Sequence, residues 1–163
     1  MLLQQDEKFI GINTLMDVPR KDAKETLARL YQSGIRKMII LTGDNQKVAE
    51  AIAEKTGITQ ALGSLMPEEK VAAIEQVQAS EGHVAMIGDG VNDAPAMVKS
   101  SVSIAMGAAG SEVALETADI ALMADKLSNL PFAIGLSKKA SRIIKQNLVI
   151  SFGMVIILIP LHL

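Results

Sequence analysis

Short apolar runs alternate with segments of helical period along most of this chain, and this alternation constrains the fold more than any other feature. Runs of about four apolar residues are typical of buried strands, and the helical segments between them end at Gly34, Gly57 and Gly82. Strands that alternate with helices form parallel sheets through right-handed crossovers. The sequence therefore predicts an α/β fold with a doubly wound parallel sheet. The predicted strands are 9–16, 38–41, 61–62, 84–87, 102–105 and 120–123, and the predicted helices are 20–33, 46–56, 67–81, one that opens at 94–95, 112–117 and a long one capped by Ser128.

Composition excludes several classes of function. Hydrophobic residues make up 49% of the 163 residues, which is enough for the core of one domain, whereas aromatic residues make up 2%. So few aromatic side chains, with a net charge of −2, argue against nucleic acid as a partner. The absence of cysteine excludes a disulfide framework, a thiolate metal site and a cysteine nucleophile within this sequence.

The charges are unevenly spread, and the C-terminal part has none that is negative. No Asp or Glu follows Asp125, and residues 148–163 carry no charge at all. An apolar run flanked by basic residues is typical of the cytoplasmic edge of a membrane span, although this run is shorter than the roughly 20 residues that a complete span needs. A C-terminal core or oligomerisation helix is the alternative, but apolar residues surround the helix on all sides. We therefore expect a stalk helix that enters the membrane. The basic residues before the run are Lys138, Lys139, Arg142 and Lys145.

Polar residues follow the predicted strands at three places where a parallel sheet gathers its ligand-binding residues. Thr42-Gly43-Asp44 follows the run 38–41, Lys70 lies in the first turn of the helix that Pro67 begins, and Asp89, Asn92 and Asp93 follow the run 84–87. Each signal has an ordinary structural alternative. Asp44 or Asn45, and likewise Asn92 or Asp93, would serve as helix caps, and a lone lysine in a first turn is usually a solvated surface charge.

Three such places in one domain favour a site for phosphate and magnesium over helix capping alone. A threonine hydroxyl and a glycine N–H donate hydrogen bonds to phosphate oxygens, and a lysine ammonium supplies a compact counter-charge. Magnesium prefers a few carboxylate oxygens and completes its coordination with phosphate and water. Phosphoryl transfer depends mostly on such positioning and charge neutralisation, so these residue types indicate that chemistry.

The same motifs resemble those of P-type ATPases, which belong to the haloacid-dehalogenase-like superfamily. The later part of the chain is similar to the heavy-metal-transporting subclass in particular, and the resemblance covers nearly the whole chain. The motifs that carry it are Thr42-Gly43-Asp44, Met66-Pro67-Glu68-Glu69-Lys70, Gly88-Asp89-Gly90-Val91-Asn92-Asp93-Ala94-Pro95, Met106-Gly107, residues 114–123 and residues 144–147.

The resemblance implies roles for individual residues. Asp89 would coordinate magnesium together with Asp93, and Asn92 would help to organise that site. Lys70 would neutralise the phosphate, while Thr42 and Gly43 would bind it. Asp44 would help to position the phosphoryl group or the nucleotide. The implied cofactors are magnesium and ATP.

The sequence departs from the family at the nucleophile. P-type ATPases form an aspartyl-phosphate on an Asp-Lys-Thr-Gly-Thr motif, which is a covalent strategy, and here Asp125-Lys126 continues into Leu-Ser. We therefore expect a fragment of a pump that is inactive alone, with residues 1–126 forming the second half of the phosphorylation domain and residues 127–163 the stalk. Its expected partners are the remainder of the pump, a heavy-metal ion and the cell membrane, with residues 1–147 on the cytoplasmic side. A non-catalytic regulatory fragment that binds magnesium and phosphate is the alternative, and a soluble phosphatase is disfavoured by the absent nucleophile and the apolar tail.

Overall fold

The computed structural model describes residues 2–5, 8–12, 18–89, 92–107, 116, 118–122 and 126–161, with the backbone alone for the first two ranges. Gly90 and Val91, most of the predicted helix 112–117, and His162 lie outside the described residues. The elements, in chain order, are β1 (Leu2–Gln5), β2 (Lys8–Ile12), α1 (Ala23–Gln32), β3 (Ile39–Leu41), α2 (Gln46–Thr56), β4 (Gln60–Leu62), α3 (Pro67–Glu81), β5 (Ala85–Gly88), α4 (Ala94–Lys99), β6 (Val102–Met106), β7 (Ile120–Leu122), a 3₁₀ turn (Leu127–Asn129) and α5 (Leu130–Leu161).

Local chemistry explains where the helices begin and end. The Asn45 side chain accepts a hydrogen bond from the Lys47 N–H at 2.9 Å and so caps α2. Helix α3 begins at Pro67, whose missing N–H costs nothing in a first turn. Gly57 ends α2 with a φ of 83°, a left-handed conformation that glycine adopts without strain.

The parallel strands predicted from the sequence are present, but the described strands are divided between sheets. Strand β3 pairs in parallel with β4, and β5, β6 and β7 form a second parallel sheet in that order. A third pairing, the antiparallel hairpin of β1 and β2, was not predicted. The α/β class is confirmed, and the described strands do not join β3 to β5.

Two apolar clusters cover opposite faces of the β5–β6–β7 sheet. Neighbouring residues of a strand point to opposite faces, and on β6 the side chain of Ala105 belongs to one cluster while that of Ile104 belongs to the other. The first cluster joins the sheet to α3 and α4, and the second joins it to α1 and the start of α5. The sheet therefore carries helices on both faces, as predicted. The buried members are Ile74, Met86, Ala96, Met97 and Ala105 in the first cluster and Leu30, Ile104, Leu122 and Leu130 in the second.

Helix α5 has its first turns in the domain core and the rest of its length outside it. Leu130 is 3% exposed, and Ile134 packs against the same cluster. One turn further on, the Lys138 ammonium donates a hydrogen bond to the Ser33 carbonyl at the end of α1. The prediction that Ser128 caps the helix is wrong, because Ser128 lies inside the 3₁₀ turn that precedes α5. The segment 127–157 is long and apolar enough to cross a membrane, judged by length and composition.

Candidate functional site

The loop after β3 is held by hydrogen bonds within Thr42-Gly43-Asp44. The Thr42 hydroxyl donates to the Asp44 carboxylate at 3.1 Å and accepts from the Asp44 N–H at 3.1 Å. Asn45 caps α2, so Asp44 is not the cap. These two bonds to Asp44 therefore fix the position of the Thr42 hydroxyl.

The loop after β4 binds this first loop through the backbone. The Leu65 N–H donates to the Thr42 carbonyl at 3.0 Å, and the Ser64 N–H donates to the Asp44 carbonyl at 2.5 Å. Because Leu65 leads directly to Met66 and the start of α3, these bonds tie the Thr42 loop to the helix that carries Lys70.

Gln46 joins the two loops through hydrogen bonds, a role that no sequence motif indicated. Its amide NH2 donates to the Ala61 carbonyl at 3.1 Å, and its amide oxygen accepts from the Gly63 N–H at 2.5 Å. A Cβ at residue 63 would lie 2.6 Å from the Gln46 Cα, so only glycine fits there. A glycine between a strand and a helix is the one signal that could have indicated such a close backbone approach.

Lys70 and Asp93 form a largely buried ion pair. The Lys70 Nζ lies 2.6 Å from the Asp93 Oδ1, and the two side chains are 12% and 18% exposed. Lys70 is therefore not a solvated surface charge. Asp93 occupies the position before α4, yet its side chain makes no capping hydrogen bond, because the carboxylate points to Lys70. The helix-capping alternative for Asp93 is wrong.

Gly88 leaves the space that the Asp93 side chain occupies. A Cβ at residue 88 would lie 2.7 Å from the Asp93 Oδ2 and 2.8 Å from the Asp93 Cβ. The glycine that ends β5 thus lets the α4 terminus approach the strand. Asp89 and Asn92 lie between β5 and α4 in the sequence and are exposed.

The carboxylates of this loop fit magnesium better than a transition metal. Within the described part of the chain, no group of three or more His, Cys, Asp or Glu side chains is arranged to hold a metal ion. Magnesium needs only one or two carboxylates, because it retains several waters and takes the rest of its ligands from phosphate. Asp89 is exposed at the end of β5, and Asp93 lies four residues further on, which is a donor set of that kind.

A carboxylate with a shifted pKa lies at the opposite end of the sheet. The Asp119 carboxylate accepts hydrogen bonds from the N–H and the hydroxyl of Ser103, both at 2.8 Å. These bonds lower the pKa of Asp119 below its ordinary value of 3.8. Asp119 joins the start of β6 to the start of β7, so it supports the sheet and not the site. Its role was missed because no sequence spacing relates it to Ser103.

Residues 2–100 match the family model for haloacid dehalogenase-like hydrolases. The chain is 48% identical over 157 residues to a probable cadmium-transporting ATPase of Staphylococcus aureus (strain MRSA252), a match that covers 96% of this chain and 22% of the relative. It is 48% identical over 163 residues to a probable cadmium-transporting ATPase of Listeria monocytogenes, covering 100% of this chain and 23% of the relative.

A solved structure is similar over most of the chain as well. The crystal structure of a zinc-transporting PIB-type ATPase in the E2.Pi state has a TM-score of 0.81 and 40% identity, covering 93% of this chain and 24% of that one. The chain spans about a fifth of the length of the curated relatives it matches. These matches confirm the resemblance to heavy-metal-transporting P-type ATPases that the motifs indicated.

Proposed function

The chain belongs to the haloacid dehalogenase-like hydrolase family, and from this premise we propose that it works as part of an ATP-driven pump for heavy-metal cations. Residues 1–126 are the second half of its phosphorylation domain, and residues 127–163 are the stalk and the start of a membrane helix. The observation that carries the proposal is the buried Lys70–Asp93 pair, which lies beside exposed Asp89 where β5 ends.

Each residue of the site has a part in handling a phosphoryl group. Lys70 supplies positive charge, and the 2.6 Å contact with Asp93 fixes its ammonium in place before phosphate arrives. The Gly43 N–H donates a hydrogen bond to a phosphate oxygen. The Thr42 hydroxyl oxygen is held by the Asp44 N–H, and its one proton turns from the Asp44 carboxylate to a second phosphate oxygen. Charges and dipoles that are already in position stabilise a transition state without reorganisation.

Magnesium and ATP are the cofactors that this arrangement suits. Asp89 and Asp93 would hold the metal ion, with Asn92 beside them. When bound, magnesium neutralises the charge of the phosphoryl group. Thr42, Gly43 and Lys70 contact the phosphate, and Asp44 helps to position the phosphoryl group or the nucleotide.

The nucleophile comes from outside this sequence, which contains no Asp-Lys-Thr-Gly-Thr. Two features support this part of the proposal. The described strands leave β3 paired with β4 and β5 paired with β6, with no described strand joining the two sheets. Leu41 of β3 nevertheless packs against the cluster that contains Met86 of β5. A strand added between β3 and β5 would complete one sheet and bring an aspartate to the carboxyl end beside Lys70.

The membrane and a transported metal complete the proposal. The apolar segment of α5 enters the cell membrane, and residues 1–147 lie on the cytoplasmic side, as expected for a span preceded by basic residues. The relatives are named for cadmium and the solved structure for zinc. We extend to this chain only the class, a heavy-metal cation.

The test is a complementation experiment in mild detergent. The full chain alone is expected to hydrolyse no ATP. Co-expression with the part of the Staphylococcus aureus relative that precedes the match should restore magnesium-dependent ATP hydrolysis and a phosphorylated aspartate on that part. Asp89→Ala and Lys70→Gln should abolish the restored activity, whereas Lys47→Gln, an exposed cation on α2, should leave it unchanged.

Two results would contradict the proposal. Magnesium-dependent hydrolysis by the chain alone that disappears in Asp89→Ala would show that it needs no external nucleophile. Failure of complementation, with a magnesium-dependent rise in melting temperature still present, would favour the non-catalytic regulatory fragment.

A further inference from the structure

A basic patch lies on α5 where the apolar segment begins. It is an open surface of this one helix, and its residues include Lys138, Arg142, Lys145, Val149 and Ile150. No acidic residue follows Asp125 in the sequence. None of the ion pairs found in the described part of the chain uses Arg142 or Lys145, and both side chains are exposed. The patch thus joins unneutralised positive charge to apolar surface.

The basic residues of α5 differ in their distance along the helix from the start of the apolar run. A helix rises 1.5 Å per residue, so Lys145 lies about 4.5 Å before Leu148 and Arg142 about 9 Å before it. The headgroup layer on each side of a bilayer is roughly 5–8 Å thick. Long side chains at these two heights reach lipid phosphates, whereas Lys139 lies about 13.5 Å away and outside the layer.

The direction of each side chain around the helix also distinguishes these basic residues. Successive residues turn by about 100° around a helix, which places Arg142 and Lys145 within about 60° of each other. Lys138 shares this face, but its ammonium is already bound to the Ser33 carbonyl. Lys139 points about 120° away from Lys145 and does not belong to the patch.

We propose that Arg142 and Lys145 bind the phosphate of anionic phospholipids, with Val149 and Ile150 contacting the start of the acyl chains. This inference rests on the proposed function, because it requires that α5 enters a bilayer. Charge and apolar surface side by side fit a lipid better than a free anion, which would use the charge alone. The guanidinium of Arg142 suits a phosphate in particular, since it donates two parallel hydrogen bonds.

Native mass spectrometry of the full chain in detergent tests the proposal. The chain is given equal amounts of phosphatidylglycerol and phosphatidylcholine with the same acyl chains, and the ratio of the two bound lipids is measured. The unmodified chain should bind phosphatidylglycerol preferentially. A cation near an anionic membrane contributes about 1 kcal/mol, or about fivefold, so Arg142→Gln with Lys145→Gln should lower the ratio by about 25-fold.

The control removes the same charge from elsewhere. Lys139→Gln with Lys47→Gln also subtracts two positive charges and should leave the ratio unchanged. Equal loss in the control, an unchanged ratio in the test variant, or displacement of phosphatidylglycerol by inorganic phosphate would each overturn the lipid site.

The two proposals fail in different ways in this experiment. If the chain takes up neither lipid, α5 does not belong in a bilayer, and the membrane part of the proposed function fails with the lipid site. If it takes up both lipids equally, the headgroup site alone is wrong.

Discussion

Replacing Lys70 with methionine leaves the Asp93 carboxylate in place without its counter-charge. The side chains are only 12% and 18% exposed, and the Nζ and the Oδ1 are 2.6 Å apart. Removing one partner from a buried ion pair costs about 3–5 kcal/mol, because the remaining charge is poorly solvated. Some water still reaches this pair, so we expect about 3 kcal/mol for Lys70→Met.

The double variant distinguishes the loss of the interaction between Lys70 and Asp93 from the loss of each charge. Lys70→Met with Asp93→Asn removes both charges, and the free energy of unfolding should return to within about 1 kcal/mol of the unmodified chain. Each single variant should lower the melting temperature by roughly 6–12 °C, given the size of the chain. Thermal and guanidinium unfolding of the full chain in detergent, followed by circular dichroism, measures all four proteins.

A surface pair provides the control for this prediction. Lys99 and Glu75 lie 3.2 Å apart with side chains 56% and 54% exposed, so Lys99→Met should cost less than about 1 kcal/mol. The reasoning is refuted if Lys70→Met costs no more than Lys99→Met. It is refuted equally if the effects of Lys70→Met and Asp93→Asn simply add, because additivity would mean that the two charges do not interact.

Two further predictions concern the supports of the site and of the sheet. Gly63→Ala should lower the free energy of unfolding by about 1–3 kcal/mol, because its Cβ would lie 2.6 Å from the Gln46 Cα. The control is Gly135→Ala on α5, whose Cβ would meet nothing within 4 Å and which should raise the free energy of unfolding by roughly 0.5–1 kcal/mol. Urea unfolding measures both variants, and equal effects would contradict the close approach at Gly63. The hydrogen bonds from Ser103 lower the pKa of Asp119. They therefore contribute their full stability at any pH above the ordinary pKa of 3.8. This contribution is lost as the pH falls through the lower pKa of the folded state. Melting temperatures taken across this acid range should therefore fall less steeply in Asp119→Asn, and an unchanged acid slope would show that the hydrogen bonds do not matter.

Local chemistry made most of the fold predictable. Pro67 and Gly57 act within one turn of the chain, so the start of α3 and the end of α2 followed from the sequence. The division of the strands into two sheets did not follow, because strand pairing joins residues far apart and depends on which neighbours are present. The hairpin of β1 and β2 is local and was missed for a different reason, because Leu2–Gln5 shows no alternation of apolar and polar residues.

The residues of the candidate site were proposed from the sequence, but the contacts between them were not. Lys70 and Asp93 were both placed at element boundaries, but nothing in a spacing of 23 residues indicated that they form an ion pair. That pair depends on Gly88, which admits the Asp93 side chain. The side-chain amide of Gln46 bonds backbone groups of Ala61 and Gly63. A glutamine at the start of a helix does not indicate such contacts.

The single continuous helix α5 has a mechanical consequence. Its 32 residues make a rod about 48 Å long, clamped at one end by Leu130 in the core and by the bond from Lys138 to Ser33. A rotation of about 5° at the clamp displaces the far end by about 4 Å. The clamp touches Ile104 on β6, whose neighbour Ala105 touches the cluster beneath α3 and α4. A small tilt at this clamp is therefore magnified along the rod, so the far end of α5 moves further than the core residues that hold it.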